Sequence, residues 1–273
     1  MSTRLLNKIA IVTGSSSGLG RAISLSYARE GAKVVCADLT PSARMNIQDE
    51  GEIYTHELIQ KEGGQAIFVT TDVGEANDMQ ALVQAATNEF GRLDILVNNA
   101  GVGLEARRSL ARCHETDEEV WDATMKVNAK SIFLGCKYAI TQMLAQEPHS
   151  SGDRGWIINM SSIMATIAGK TILIKASYCA SKGAVGSLTR QVALDYAADR
   201  IHVNAICPGY TQTAIFTDAM AAGMSLEDMQ RKHPFNGPGK PSDIAKIAVV
   251  LASDDASWVT GAAWAVDGGY TAR

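Results

Sequence analysis

The sequence predicts an α/β fold over residues 1–273: one doubly wound domain, with a mainly parallel seven-stranded sheet and helices on both faces. Three observations carry that prediction. Short apolar runs alternate with stretches of helical period along the whole chain. A glycine-rich turn follows directly on the first run, where a strand must turn into a helix. No linker, repeat or low-complexity tract interrupts the alternation.

The elements follow in order. KIAIVT (8–13) is apolar and stopped by Gly14, as a strand buried on both faces is. Leu19 to Glu30 reads as a helix ended by Gly31, and KVVCAD (33–38) and QAIFVT (65–70) as the second and third strands. Met79, Val83, Ala86 and Phe90 recur at helical spacing up to Gly91, before DILVNN (94–99), the fourth strand. Residues 118–147 read as helical, WIINMS (156–161) as the fifth strand and 178–198 as helical. IHVNAI (201–206) is the sixth strand, 242–252 a helix, and AWAV (263–266) the closing strand. Three stretches break the rhythm. Residues 40–55 read as a surface insertion, 147–155 (EPHSSGDRG) as a polar loop, and 210–241 as a long excursion after the sixth strand. Ligands of such sheets bind beyond the carboxyl ends of the strands, so long loops there point to function.

Composition narrows the function. The chain is 46% hydrophobic and 20% charged with a net charge of −4, so it carries no electrostatic footprint for nucleic acid. No apolar run approaches the length of a membrane span, and MSTRLLNKIAIVTG lacks the h-region and cleavage site of a signal peptide. Cysteines 36, 113, 136, 179 and 207 are odd in number and scattered, which fits reduced thiols and a cytoplasmic location. His56, His114, His149, His202 and His233 share no metal-binding spacing, so no metal is expected; His202 reads as a packed neighbour in its strand.

Two features point to a nucleotide. In TGSSSGLGR (13–21), Gly14, Gly18 and Gly20 allow a tight turn that brings backbone N–H groups to an anion at the helix N-terminus, although the spacing is not GxGxxG. Asp38 ends the second strand and can accept hydrogen bonds from both hydroxyls of an adenosine ribose. It also repels a 2′-phosphate by about 4 kcal/mol per charge pair near 4 Å at an effective dielectric of 20. Ser17 and Leu39 beside it offer no cation, so the expected cofactor is NAD, with NADP disfavoured. The competing reading is that Asp38 caps a turn with Thr40 and Pro41. A third feature is YCASK (178–182), which puts a lysine one helical turn after a tyrosine, close enough to favour a phenolate.

With TGSSSGLG, NNAG (98–101), YCASK, NAICPG (204–209) and VDGG (266–269) in this order from Lys8 to Gly269, the chain resembles the short-chain dehydrogenase/reductase family, with its Rossmann-like fold. The resemblance implies a cofactor half over 1–155, a catalytic and substrate half over 156–273, and a lid over 210–241. It implies Tyr178 as acid/base, Lys182 lowering its pKa and binding the nicotinamide ribose, Ser162 on the substrate oxygen, and Asn128 holding a water. Ser16, Ser17, Gly18 and Leu19 join the cofactor turn with Gly14 and Gly20, and Asp38 and Leu39 meet the ribose. Asp72 and Val73 would flank the adenine, and the stretch Asn98 to Gly101, with Asn98, Ala100 and Gly101, would line the cleft. Pro208, Gly209, Thr211 and Thr213 would sit at the nicotinamide end.

The implied activity is NAD-dependent interconversion of a small secondary alcohol and its ketone, by a homotetramer using helices 118–147 and 178–198 and the last strand. Alternatives are a biosynthetic NAD(P)H ketoreductase, a sugar or polyol dehydrogenase, and a non-catalytic nucleotide-binding module. Ser162 precedes Tyr178 by sixteen residues, a few more than the family usually has, with the extra residues expected within 168–175; Ser161 is the second candidate for the serine. Met164, Leu173, Ile174, Phe216, Met220 and Met224 suggest an adaptable apolar pocket under the lid, or else the packing of that lid on the core. Arg107 and Arg108 either face an anionic substrate or form a solvated loop face.

Overall fold

The computed structural model describes residues 3–43, 52–104, 112–168, 176–221, 223 and 225–272. Its strands are β1 (Ile9–Thr13), β2 (Lys33–Asp38), β3 (Ala66–Thr70), β4 (Ile95–Asn98), β5 (Gly155–Met160), β6 (Ile201–Pro208) and β7 (Ala263–Val266). They form one sheet in the order β3-β2-β1-β4-β5-β6-β7, and every pairing is parallel.

Alternate residues of the inner strands feed opposite cores, which is why these strands read as unbroken apolar runs, whereas the edge strand β7 leaves Ala263 and Ala265 exposed. Ala10, Val12, Val34 and Cys36 enter one core, together with Ile23 and Tyr27 of α1 (Gly18–Arg29) and Ile244 and Val249 of a helix near the C-terminus. Ile9, Ile11, Val35 and Ala37 enter the other, against α3 (Ala76–Phe90), α5 (Ser131–Leu144) and α6 (Ala176–Asp195). The C-terminal helix is α9 (Pro241–Leu251), which starts on a proline where a helix needs no N–H; the Tyr27 hydroxyl donates to its Ala248 carbonyl at 2.9 Å.

The structure differs from the sequence reading in three places. A short helix, α2 (Thr55–Lys61), follows the 40–55 insertion; it buries only Thr55 and Ile59, too little for a periodic signal. Residues 118–147 are not one regular helix: α4 (Glu118–Met125) runs through a π-helical turn at Lys126–Lys130 into α5. The excursion over 210–241 contains α7 (Ala214–Ala221) and α8 (Leu226–Lys232).

At the amino end of the sheet, the buried Asp94 carboxylate is paired. Asp94 accepts from the Ile9 amide at 2.8 Å, Arg92 Nε at 2.6 Å and His149 Nε2 at 2.8 Å. His202 stacks on Trp156 at 5.9 Å and reaches Asp153 at 3.1 Å, so it is a packed neighbour in its strand. Among the described residues no helix is long and apolar enough to cross a membrane. The chain reverses its direction of sheet growth between β1 and β4, and that is where the carboxyl edge opens.

Candidate active site

A cavity of about 490 Å³ lies along the carboxyl ends of β1, β2, β4, β5 and β6. Gly14, Ser16, Ser17, Gly18 and Leu19 form one wall, and Asp38, Leu39, Asp72 and Val73 extend it to one side. Ala100, Gly101, Ser162, Met164, Tyr178 and Lys182 carry it to the other, under Pro208, Gly209, Thr211, Thr213 and Phe216.

The glycine turn is closed by contact. Gly14 has φ +66, and a Cβ on Gly20 would stand 2.0 Å from the Gly14 carbonyl oxygen. Only a bare Cα lets α1 seat that tightly on β1. Thr13 Oγ1 accepts from the Asn99 and Ala100 amides at 3.0 and 3.1 Å, and Asn99 Nδ2 donates to the Thr13 carbonyl at 2.8 Å. The N-terminus of α1 is thereby fixed at the cavity wall. Its first turn carries no acidic residue, so its dipole favours an anion there.

Asp38 is held as an acceptor. Its Oδ2 receives the Ser16 amide at 3.1 Å and its Oδ1 the Leu39 amide at 2.8 Å. Asp38 thus lines the cavity while anchoring the amides of Ser16 in the glycine turn and of Leu39 beside it. Lys182 is the only lysine or arginine among the described lining residues, whereas Asp38 and Asp72 are both acidic. A glycine cradle, a helix N-terminus and an anchored carboxylate fit a dinucleotide.

At the far end two adjacent serines diverge. Ser161 Oγ donates to the Lys182 carbonyl at 3.0 Å, while Ser162 Oγ accepts the Met164 amide at 3.2 Å and hydrogen-bonds Tyr178. Lys182 is 4% exposed; its Nζ donates to the Met160 carbonyl at 2.8 Å and lies 5.8 Å from the Tyr178 ring centroid. Burial pushes the Lys182 ammonium down to about 8. Burial also pushes the Tyr178 phenol up, and the bond with Ser162 pulls it partly back. Burial therefore outweighs Ser162, the partner that lowers the phenol, while the Lys182 Nζ stands over the ring.

The structure brings most of the expected residues to one cavity, with some exceptions. Gly20 packs behind the turn. Asn98 is not among the lining residues: its Nδ2 donates to Asn159 Oδ1 at 2.9 Å, within the sheet. Asn128, fully buried in the π-helical turn, accepts from the Val102 amide at 2.8 Å and donates to its carbonyl at 2.9 Å, so it braces the chain just after Gly101. Met220 packs beside Met164 and Tyr178 without lining the cavity. Leu173, Ile174, Met224, Arg107 and Arg108 lie outside the described residues. Sequence reasoning passed over Thr40, Ser42, Val127 and Tyr210, which line the cavity but belong to no motif.

A parallel doubly wound sheet with such a cleft at its switch point has the architecture of a nucleotide-binding fold. A family model described as enoyl-(acyl carrier protein) reductase matches residues 14–271. A 2-(S)-hydroxypropyl-CoM dehydrogenase from Xanthobacter autotrophicus is 38% identical over 277 residues, covering 100% of both chains. A cyclohexanol dehydrogenase from an Acinetobacter species is 33% identical, covering 100% of this chain and 98% of that one. A solved structure from Agrobacterium tumefaciens, described as a candidate 2-deoxy-d-gluconate 3-dehydrogenase with bound NADP, superposes with a TM-score of 0.82 at 34% identity over 99% of each chain. The chain belongs to the short-chain dehydrogenase/reductase family and is an oxidoreductase of that family.

Proposed function

We propose that the protein is an NAD-dependent dehydrogenase that interconverts a small secondary alcohol and its ketone. The observation that carries this reading is the convergence of Ser162, Tyr178 and Lys182 at one end of a cleft whose other end holds Asp38. The similarity to dehydrogenases of hydroxypropyl-CoM and cyclohexanol supports the substrate class.

In this reading Gly14 to Leu19 hold the pyrophosphate, Asp38 the adenosine ribose, Asp72 and Val73 the adenine, and Pro208 to Thr213 the nicotinamide end. When bound, the oxidised cofactor supplies the hydride acceptor and a positive charge. Ser162 holds the substrate oxygen and Tyr178 moves its proton. Lys182, lowered to about 8, still carries its charge at neutral pH and favours the phenolate from one side. Ser162 fills the serine role because Ser161 is spent on the Lys182 carbonyl. Asn128 keeps the cleft wall behind Lys182 in place through Val102. Met164, Tyr210 and Phe216 give the substrate end an apolar lining.

One observation favours a second reading, a ketoreductase. Burial keeps Tyr178 protonated at neutral pH, which suits donation of a proton to a carbonyl oxygen. The bound NADP in the Agrobacterium structure also leaves the phosphorylated cofactor as the rival to NAD. NADH formation on a panel of secondary alcohols, diols, polyols and hydroxysteroids, with Tyr178→Phe as control, tests the first reading. Turnover lost in the variant supports it. Silence with NAD, alongside reduction of the matching ketones by NADPH, replaces it with the second. A homotetramer is part of the proposal, and a monomer in light scattering at working concentration would sink that part.

A further inference from the structure

His233 belongs to the lid by sequence and to the cleft by contact. It follows α8 and is 1% exposed. Its Nδ1 lies 2.8 Å from the Met229 carbonyl, an acceptor, so Nδ1 carries the proton. Nε2 receives the Tyr210 amide N–H at 3.1 Å. The ring meets Tyr210 edge-on at 5.6 Å and lies 5.0 Å from the ring of Tyr270. The approach is close because residue 209 is glycine: a Cβ there would stand 3.0 Å from Nε2 and 2.9 Å from Asp267 Cα.

The strap thus gripped, Pro208 to Thr213, roofs the Tyr178 end of the cavity. Backbone bonds tie it as well. The Gly209 amide donates to the Val266 carbonyl at 3.0 Å, the Gly239 amide to the Tyr210 carbonyl at 2.9 Å, and the Gln212 amide to the Gly239 carbonyl at 2.9 Å. His233 joins this strap to the lid helix by a side-chain acceptor bond, beside the ring contact of Tyr210 with Tyr270 at 5.9 Å.

We propose that His233 is a positioning residue. Its neutral, Nδ1-protonated ring locks the strap to the lid and so shapes the nicotinamide end of the cleft, and protonation of Nε2 releases that lock. The inference rests on the reading of the cleft as a nicotinamide dinucleotide site. Once protonated, Nε2–H faces the Tyr210 N–H, donor against donor, and the bond is lost. The titratable groups around the ring, among the described residues, are Tyr210 from the strap, Tyr270 from the tail and Asp267 from the end of β7. On its own element, Asp228 is paired with Arg231 at 2.6 Å and Lys232 at 2.8 Å. The Asp267 carboxylate is engaged by the Gly269 and Thr271 amides at 2.9 and 2.8 Å and the Thr271 hydroxyl at 2.6 Å.

The test is an NADH fluorescence titration of wild type, His233→Phe and His233→Gln, run from about pH 8 to about pH 5.5, across the range where histidine titrates. Phenylalanine keeps the bulk and loses the acceptor. Glutamine can offer a carbonyl to Tyr210 and an amide to Met229, and it does not titrate. The expected result is NADH binding about tenfold weaker in His233→Phe at pH 8, the cost of removing a buried acceptor, and within about threefold of wild type in His233→Gln. Wild type should weaken as pH falls while His233→Gln stays flat. With catalysis measured alongside, KM for the dinucleotide should rise more than kcat falls. NADH binding by His233→Phe equal to wild type, or a His233→Gln pH profile that tracks wild type, overturns the proposal. If His233→Phe does not fold, the His233→Gln profile decides. A wild type that binds neither NADH nor NADPH overturns the dinucleotide reading itself, and this inference with it.

Discussion

Lys182 sits one helical turn beyond Tyr178, yet its ammonium passes the ring, 5.8 Å from the centroid, to donate to the Met160 carbonyl at 2.8 Å. Both residues are buried, and the ammonium stands over the ring. Each is shifted toward its neutral form, the phenol upward and the ammonium down to about 8.

Replacing Tyr178 by phenylalanine should lower kcat by about 10² to 10⁴, the usual contribution of a positioned acid/base, and leave NADH binding near wild type. Steady-state rates and a fluorescence titration on the same preparation check both halves. Ser162→Ala should lower kcat as well, whereas Ser161→Ala should act through Lys182 and chiefly weaken cofactor binding.

Lys182→Met should stabilise the protein at neutral pH while abolishing turnover. The folded-state value of about 8 lies below the ordinary lysine value, so the folded state holds fewer protons between the two. Stability therefore rises with pH across that window, and below it the buried charge costs roughly 3 kcal/mol. The gain from methionine, less the lost bond to Met160, should be largest at pH 7 and vanish above pH 10. Thermal melts at a series of pH values measure the difference, and a variant less stable than wild type at pH 7 would refute it.

Asp38 should give at least about tenfold preference for NAD over NADP in kcat/KM, from its charge against a 2′-phosphate. Because Asp38 also anchors the Ser16 and Leu39 amides, Asp38→Ala should weaken NAD without creating tight NADP binding. Adding Leu39→Arg should then favour NADP. Parity between the cofactors in wild type would remove the carboxylate from the selectivity argument.

Gly20→Ala should disrupt the fold of the first turn, since its Cβ would meet the Gly14 carbonyl at 2.0 Å. A cost of about 3 kcal/mol and loss of dinucleotide binding are expected, as for severe overpacking. Denaturant melts and NADH titration report the two effects separately.

Asp94→Asn should cost about 2 kcal/mol of stability with little change in KM, because the residue lies at the opposite end of the sheet from the cleft. Burial alone would raise the Asp94 carboxyl, but bonds from His149, the Ile9 amide and Arg92 outweigh it and hold the group below its ordinary range. A depressed carboxyl adds stability that is present above the ordinary Asp value and is lost as pH falls through the folded one. Acid unfolding of wild type should therefore be steep below about pH 4, and shallower in the variant.

By itself the sequence determined the architecture and most of the residues that line the cleft. Strands buried on both faces must read as apolar runs, and a turn that seats a helix on a strand must use glycine where Gly14 and Gly20 stand, so both leave local marks. Tertiary structure alone decided how those positions are used. That Asn98 turns into the sheet toward Asn159, and that Asn128 braces Val102 from a π-helical turn, follows from the packing of strand on strand and helix on loop. The small burial of α2 left too weak a periodic trace to read. The same holds for the two serines: neighbours in sequence, they part because alternate residues leaving a strand point opposite ways, one toward Lys182 and one toward Tyr178. The joining of His233 to Tyr210 across 23 residues, and the net upward push on Tyr178, depend on which groups lose water together, and no local pattern encodes that.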